Sequence, residues 1–296
     1  MKIVKIKLGR ACFARAAAAT LCLTLGGGAA FAEAAADKLP AKYREAGAIK
    51  LVTDAKYPPF QYIDDSGEMV GFEVDLWDAI AKQLGVKMDV TSVAFDSLIP
   101  GVQSGRWDIA MEGITDNPVR EEVVNFVTYG YTTSSAYVLA DNKTVGDSYL
   151  DLCGLRGSAQ SGTEWVDMIT GLLADSCKEN GKEAPTVSEY GTSDAVLLSL
   201  YSARADFVLT SAASAREIMQ NAPHPIRVVA VDVLPRLPSG IVFRKGEDDL
   251  GEALLAALKE VMADGTYDAI YSKWDVTPMR MEHEPVINQA TSGLPQ

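Results

Sequence analysis

Residues 112–120 read Glu-Gly-Ile-Thr-Asp-Asn-Pro-Val-Arg, following a predicted strand and entering a predicted helix. Asn117 suits the N-cap and Pro118 the first helical position, which places Arg120 in the first turn. A cation there is unfavourable by a few tenths to about 1 kcal/mol unless an anion is near. With the Thr115 hydroxyl and the close backbone approach that Gly113 permits, the spacing predicts a carboxylate or phosphate clamp. The competing reading pairs Arg120 with Glu121, Glu122 or another acid. Ser161-Gly162-Thr163 repeats the arrangement, again between a strand and a helix start. Alone, such hydroxyls are usually caps. Two such sites on separate lobes point to a ligand between them, because ligands of open α/β sheets collect beyond the carboxyl ends of strands. Asp54 and Glu112 stand at predicted strand ends, where carboxylates bind cationic groups more often than they transfer protons. No phosphate loop, nucleophile turn or dinucleotide fingerprint is spelled, and no catalytic residue is assigned. The histidines, His224 and His283, lack ligand spacing and read as surface residues, so neither a metal nor a cofactor is expected.

The elements that position these residues alternate between β-like runs and helical periodicity, which predicts an α/β fold with open sheets. Ala48 to Asp54 reads as a strand that ends in Lys56-Tyr57-Pro58-Pro59-Phe60, where two prolines halt regular structure. From Asp75, residues Leu76, Trp77, Ile80 and Leu84 share a helical face, with Gly85 at the C-cap. Val86–Val93 is the next strand, Asp96 caps a helix through Ser104, and Trp107–Met111 is a third strand. A second lobe repeats the pattern: strands at Gly157–Gln160, Thr186–Tyr190 and Asp206–Thr210, with helices from Thr163 and over Ala195–Ser202. After a break at Arg236-Leu237-Pro238-Ser239-Gly240 come a strand at Ile241–Phe243 and two amphipathic helices carrying Leu250, Leu254, Leu258 and Val261, then Tyr267, Ile270, Tyr271 and Trp274. The tail beyond Val276 is polar and reads as irregular.

The chain has 296 residues, with 27 Lys+Arg against 40 Asp+Glu and a net charge of −13. That balance excludes a non-specific nucleic-acid binder, which needs clustered basic residues. Five basic residues precede an apolar stretch from Ala16 to Leu25 and an Ala30-Phe31-Ala32 ending, the pattern of an export signal peptide over 1–32. Removing it leaves 22 basic against 40 acidic residues, a net −18. Of the cysteines, Cys153 and Cys177 remain after cleavage, in a compartment where disulfides persist, and are expected to be bonded, with buried free thiols as the alternative.

Several segments together resemble the extracellular solute-binding proteins that serve polar amino-acid ABC importers (family 3). They are Val52-Thr53-Asp54-Ala55-Lys56-Tyr57-Pro58-Pro59-Phe60, Gly71-Phe72-Glu73-Val74-Asp75-Leu76, Phe95-Asp96-Ser97-Leu98-Ile99-Pro100 with Gly105-Arg106-Trp107-Asp108, Gly113 to Arg120, Asp151-Leu152-Cys153-Gly154, Gln160-Ser161-Gly162-Thr163, Ala203-Arg204-Ala205-Asp206, and Asp264-Gly265-Thr266-Tyr267 with Lys273-Trp274. The resemblance implies a two-lobed, type II periplasmic-binding-protein-like fold of two open mixed sheets joined by crossover strands near Tyr131–Leu139 and Ser239–Phe243. It places lobe 1 at 40–133 and 238–276, lobe 2 at 134–237 and a tail at 277–296. It further implies that Arg120 and Thr115, with Gly113, hold a ligand carboxylate, that Thr163 and Ser161 contribute from lobe 2, that Tyr57 and Phe95 sandwich the ligand body, and that Asp54 faces its distal end. Two positions depart from the pattern. Ser211 stands where an aspartate generally takes the ligand ammonium, and Glu112 stands where a small residue is usual.

The expectation is therefore a monomeric, periplasmic, non-enzymatic protein that hands a small carboxylate (an amino acid, opine, betaine or relative) to a membrane ABC permease. The alternatives are a cyclohexadienyl-dehydratase-like enzyme on a similar fold, with Glu112 as its acid, or a soluble sensor for a membrane receptor.

Overall fold

The computed structural model describes residues 34–231 and 233–293; the expected signal peptide at 1–32 lies outside them. Ala48–Thr53 is buried at Ile49, Leu51 and Val52, the near-continuous apolar run of a strand covered on both faces. It pairs in parallel with Lys87–Ser92 on one side and Ile109–Ala110 on the other. Leu237–Arg244 then runs antiparallel between Ile109–Ala110 and Val124–Thr132, completing a five-stranded mixed sheet. A second five-stranded sheet repeats that order: Thr186–Tyr190, Arg156–Gln160 and Phe207–Ser211 are parallel, and Ser134–Leu139 and Ile226–Ala230 are antiparallel additions. These are the two open mixed sheets expected of a two-lobed fold.

The chain leaves the first sheet at Thr133, between strands Val124–Thr132 and Ser134–Leu139. It returns after Ile226–Ala230, so that Leu237–Arg244 already belongs wholly to the first sheet. The return crossing thus precedes the Ser239–Phe243 segment expected to make it.

Helix Phe72–Leu84 buries Phe72, Leu76, Trp77, Ile80 and Leu84, and Gly85 caps it in the left-handed conformation with its N–H on the Ala81 and Lys82 carbonyls. It begins before Asp75, at Phe72, directly after Gly71, which passes close under the Phe60 backbone at φ 145°, where a Cβ would lie 2.0 Å from the Phe60 carbonyl oxygen. Asp96 does not cap the following helix; it lies inside a short 3₁₀ turn, Phe95–Ser97, and accepts the Ser97 hydroxyl. The expected Trp107–Met111 strand shortens to Ile109–Ala110. Around the two prolines the chain forms a small antiparallel sheet of Lys56–Tyr57, Gln61–Ile63 and Met69–Val70.

The tail is more ordered than its polarity suggests. Val124–Thr132 is an edge strand, and its spare backbone groups are taken up by the tail: Thr128 N–H donates to the Val286 carbonyl at 3.0 Å and Asn288 N–H to the Phe126 carbonyl at 3.0 Å. His283, read as a surface residue, is half-buried with its Nε2 2.8 Å from the Tyr131 hydroxyl. Among the described residues no helix is long and apolar enough to cross a membrane.

Cys153 and Cys177 are disulfide-bonded, tying the Tyr149–Leu152 turn to helix Ala174–Glu179. Closing that loop should contribute about 3–4 kcal/mol by restricting the unfolded chain. Cys153→Ser should therefore lower unfolding free energy by about 3 kcal/mol in urea titrations under oxidising conditions. An unchanged midpoint and slope would show that the bond constrains nothing.

Candidate functional site

The carboxyl ends of the two sets of parallel strands face each other. Asp54 and Glu112 follow strands of the first sheet, and Ser161 follows and Ser211 ends strands of the second. Hydrogen bonds bridge them. Arg120 Nη2 donates to the Gly162 carbonyl at 3.0 Å, Thr115 Oγ1 to Glu164 Oε2 at 3.0 Å, Gln160 Nε2 to Asp54 Oδ2 at 3.3 Å, and Ser214 Oγ to the Pro58 carbonyl at 2.8 Å.

Arg120 is set locally as the sequence predicts. Asn117 Oδ1 caps its N–H at 2.8 Å with Pro118 at the first helical position. The helix, however, is the single turn Pro118–Glu121, so its dipole adds little and the guanidinium supplies the charge. Residues 114–116 are pinned to the returning strand, with Gly240 N–H on the Ile114 carbonyl at 3.0 Å and Asp116 N–H on the Pro238 carbonyl at 2.8 Å. That anchoring presents the Thr115 carbonyl and hydroxyl oxygens to Arg120 Nη1, at 2.8 and 2.6 Å. Neither neighbouring glutamate pairs with Arg120; Glu121 instead takes the Thr291 N–H and hydroxyl. The acid beside Arg120 is Glu164 of the opposite lobe, 3.7 Å from Nη1, and the two side chains are only 12% and 10% exposed.

The acids are buried deeply. Glu112 Oε2 accepts the Thr53 hydroxyl and the Asp54 N–H, yet burial pushes its pKa up to about 8, with the nearby Glu73 and Asp54 charges adding to the rise. Glu73 accepts the Gly113 N–H at 2.8 Å and the Tyr129 hydroxyl, and burial raises it to about 7. Burial also raises Asp54, against the opposing pull of its Gln160 hydrogen bond.

Tyr57, Phe95 and Trp165 supply the aromatic walls. Tyr57 stacks on Phe60 at 4.4 Å and meets Trp165 edge-on at 6.0 Å. Gly113 sits beneath these rings at φ 58°, where a Cβ would come within 2.9 Å of Phe60. Together Tyr57, Phe95, Trp165, Glu112, Gly113, Gln160, Thr163 and Glu164 enclose a cavity of ≈10 Å³, room for about one water. Behind Tyr57, Gln160 and Trp165 lies a larger cavity of ≈450 Å³, whose walls mix aliphatic residues of the second lobe such as Val196, Leu197 and Ile218 with polar ones such as Asp194 and Glu217.

Of the expected site residues, Tyr57, Phe95, Glu112, Gly113 and Thr163 line the inter-lobe cavity, and Asp54, Thr115 and Arg120 bond to its wall residues or to the adjoining Gly162. Thr163 turns its hydroxyl onto the Gln160 carbonyl at 2.6 Å rather than capping a helix. Ser161 and Ser211 are not in the lining. The Ser161 N–H goes to the Tyr190 carbonyl at 2.9 Å, and the Ser211 hydroxyl accepts the Ala213 N–H at 3.2 Å. The buried Tyr57 hydroxyl lies near Thr210 and Ser211 without closing a hydrogen bond of normal geometry.

Glu73, Gln160, Glu164 and Trp165 were not singled out from sequence as site residues. Glu164 and Trp165 directly follow Thr163, and an acid at a first helical position reads as an ordinary favourable charge.

The chain matches the model of the bacterial extracellular solute-binding proteins, family 3, over residues 49–277. It belongs to that family. This solute-binding protein is 32% identical over 230 residues to ABC transporter arginine-binding protein 1 of Escherichia coli, covering 76% of this chain and 90% of the relative. It is 27% identical over 251 residues to the arginine-binding protein ArgT of Corynebacterium glutamicum, covering 85% and 81%. Among solved structures it resembles an ancestral arginine-binding protein bound to arginine (32% identity, TM-score 0.68, covering 77% and 98%). It also resembles an ancestral amino acid-binding protein that is a precursor of cyclohexadienyl dehydratase (29% identity, TM-score 0.67, covering 79% and 97%).

A carboxyl whose pKa is raised by folding keeps its proton where the unfolded chain has released it, so stability falls as pH rises between the two values. For Glu73 and Glu112 that window runs from the ordinary 4.5 to about 7 and about 8. The solute-free solute-binding protein should lose melting temperature between about pH 5 and 8, and Glu112→Gln should flatten the decline. Superimposable pH profiles of the two proteins would show that Glu112 is already ionised when folded.

Proposed function

We propose that this protein is the periplasmic binding component of an ABC importer, capturing an amino acid or amino-acid-derived small solute between two lobes that close on it. The observation that carries the reading is the bridge across the cleft, in which Thr115 and Arg120 of one lobe reach Gly162 and Glu164 of the other. A solute touching both walls would stabilise the shut arrangement by its differential affinity for it. The amino-acid-binding names of its relatives support the class of solute.

On this reading Thr115, Arg120, Gly113 and Thr163 form the end of the cleft that holds a negative group, the position Glu164 takes in this structure. Asp54 and Glu112 form the end that receives a positive one. Tyr57 and Phe95 hold the solute body, with Ser161 and Ser211 at the margin of the second lobe. The lobes divide as 40–133 with 238–276, and 134–237. The protein acts as an exported, soluble monomer that presents its closed state to a membrane permease and performs no chemistry on the solute.

A thermal-shift screen against amino acids, opines, betaines and prephenate tests the reading. A solute at 100 times its Kd should stabilise the fold by about 2.7 kcal/mol, and steady turnover of prephenate would overturn the binding role. Once a solute is found, Phe95→Ala should weaken it by roughly 0.5–1.5 kcal/mol, the range for one aromatic contact, with little loss of stability because Phe95 is only half-buried. Calorimetric affinity equal to wild type would remove Phe95 from the site.

A further inference from the structure

We propose that Glu164 is the cleft's own built-in carboxylate, and that the solute is an organic cation with no free carboxylate beside its charged nitrogen. The inference rests on the binding-protein reading and narrows its solute to amines, guanidines or quaternary ammonium compounds.

The geometry at Arg120 is the first support. Its Nη1 donates to both oxygens of Thr115, its Nη2 donates to the Gly162 carbonyl, and its charge is met by Glu164 at 3.7 Å. The Thr115 hydroxyl, the other group suited to an incoming anion, already donates to Glu164. Both side chains of the pair are largely withdrawn from water. An arriving carboxylate would have to expel Glu164 and leave that charge in a buried cleft without its partner.

The cavity lining is the second support. Its side chains are two carboxyls, Glu112 and Glu164, three aromatic rings, Tyr57, Phe95 and Trp165, and the uncharged Gln160 and Thr163. Among the described residues no basic side chain lines it: Arg120 pairs with Glu164 from outside the lining, and Lys56 lines the neighbouring cavity. Carboxylates combined with aromatic faces form a surface for a cation. Asp54, bonded to the wall residue Gln160, adds a third acid nearby.

The test uses calorimetry on the full mature protein with cations that differ in the carboxylate: arginine and agmatine, lysine and cadaverine, glycine betaine and choline. The carboxylate-free member of at least one pair should bind about tenfold tighter or better. Glu164→Ser, which frees Thr115 and Arg120, should shift that pair toward its carboxylate-bearing member by a similar factor. Should that variant melt too low to assay, Glu164→Gln removes the charge at nearly constant shape and carries the same expectation. Tighter wild-type binding of the carboxylate-bearing members overturns the proposal and leaves the binding-protein reading intact. So does silence of all six compounds alongside hits in the broader screen, or an unchanged pair preference in the Glu164 variants. Silence across the whole screen overturns both.

Discussion

A buried guanidinium needs acceptors for every N–H it withdraws from water, and the cleft is organised around those of Arg120. Asn117 caps its backbone, Thr115 offers two oxygens from a segment pinned to the returning strand, and from across the cleft come the Gly162 carbonyl and the counter-charge of Glu164. The facing of the two walls and the satisfaction of Arg120 therefore go together. Separating the lobes exposes the guanidinium to water, which compensates it, so the contact can hold the cleft shut without making opening prohibitive.

The carboxyls opposite follow a different logic. Glu112 and Glu73 accept hydrogen bonds from the backbone of the same loops that carry the site, Asp54 and Gly113, so they brace those loops as well as charge them. Burial makes their ionised forms costly, which is why their protons are held to near-neutral pH. A cation entering beside them would reverse that balance by favouring the charged form. Brace and charge are thus combined in one side chain, and loop geometry and cleft electrostatics depend on the same buried acids.

The walls of the cleft and the connection between them come from different parts of the fold. Each wall ends a five-stranded mixed sheet, so the site residues sit at strand termini whose directions are fixed by their neighbours. The connection is a pair of crossings, at Thr133 and after Ile226–Ala230. The tail lies along Val124–Thr132, satisfying an exposed edge and stiffening the first lobe beside the crossing.

The alternation of strands and helices, the repeat of one lobe in the other, the Asn117-Pro118 helix start and the Cys153–Cys177 bond were all legible in the chain. Each depends on local propensity or on a pairing with a single available partner. That Thr115, Arg120, Asp54 and Glu112 lie at or just beyond strand ends was also readable, because strand ends and the loops after them are local features of the α/β pattern, while Tyr57 was singled out by the family resemblance. The partner of Arg120 was not. Sequence spacing pointed to an incoming anion, with Glu121, Glu122 or another acid as the competing partner, whereas the acid that reaches it lies across the cleft, 44 positions away, as N1 of a helix where its charge looked ordinary. The same holds for Ser211, turned onto its own backbone while Tyr57 reaches toward it, and for the tail, whose polarity hid an edge strand to pair with. Local chemistry is written along the chain. Which two distant groups share a desolvated corner is decided by how the sheets face each other, since the Coulombic and hydrogen-bonding terms act over a few ångströms of space whatever the separation in sequence.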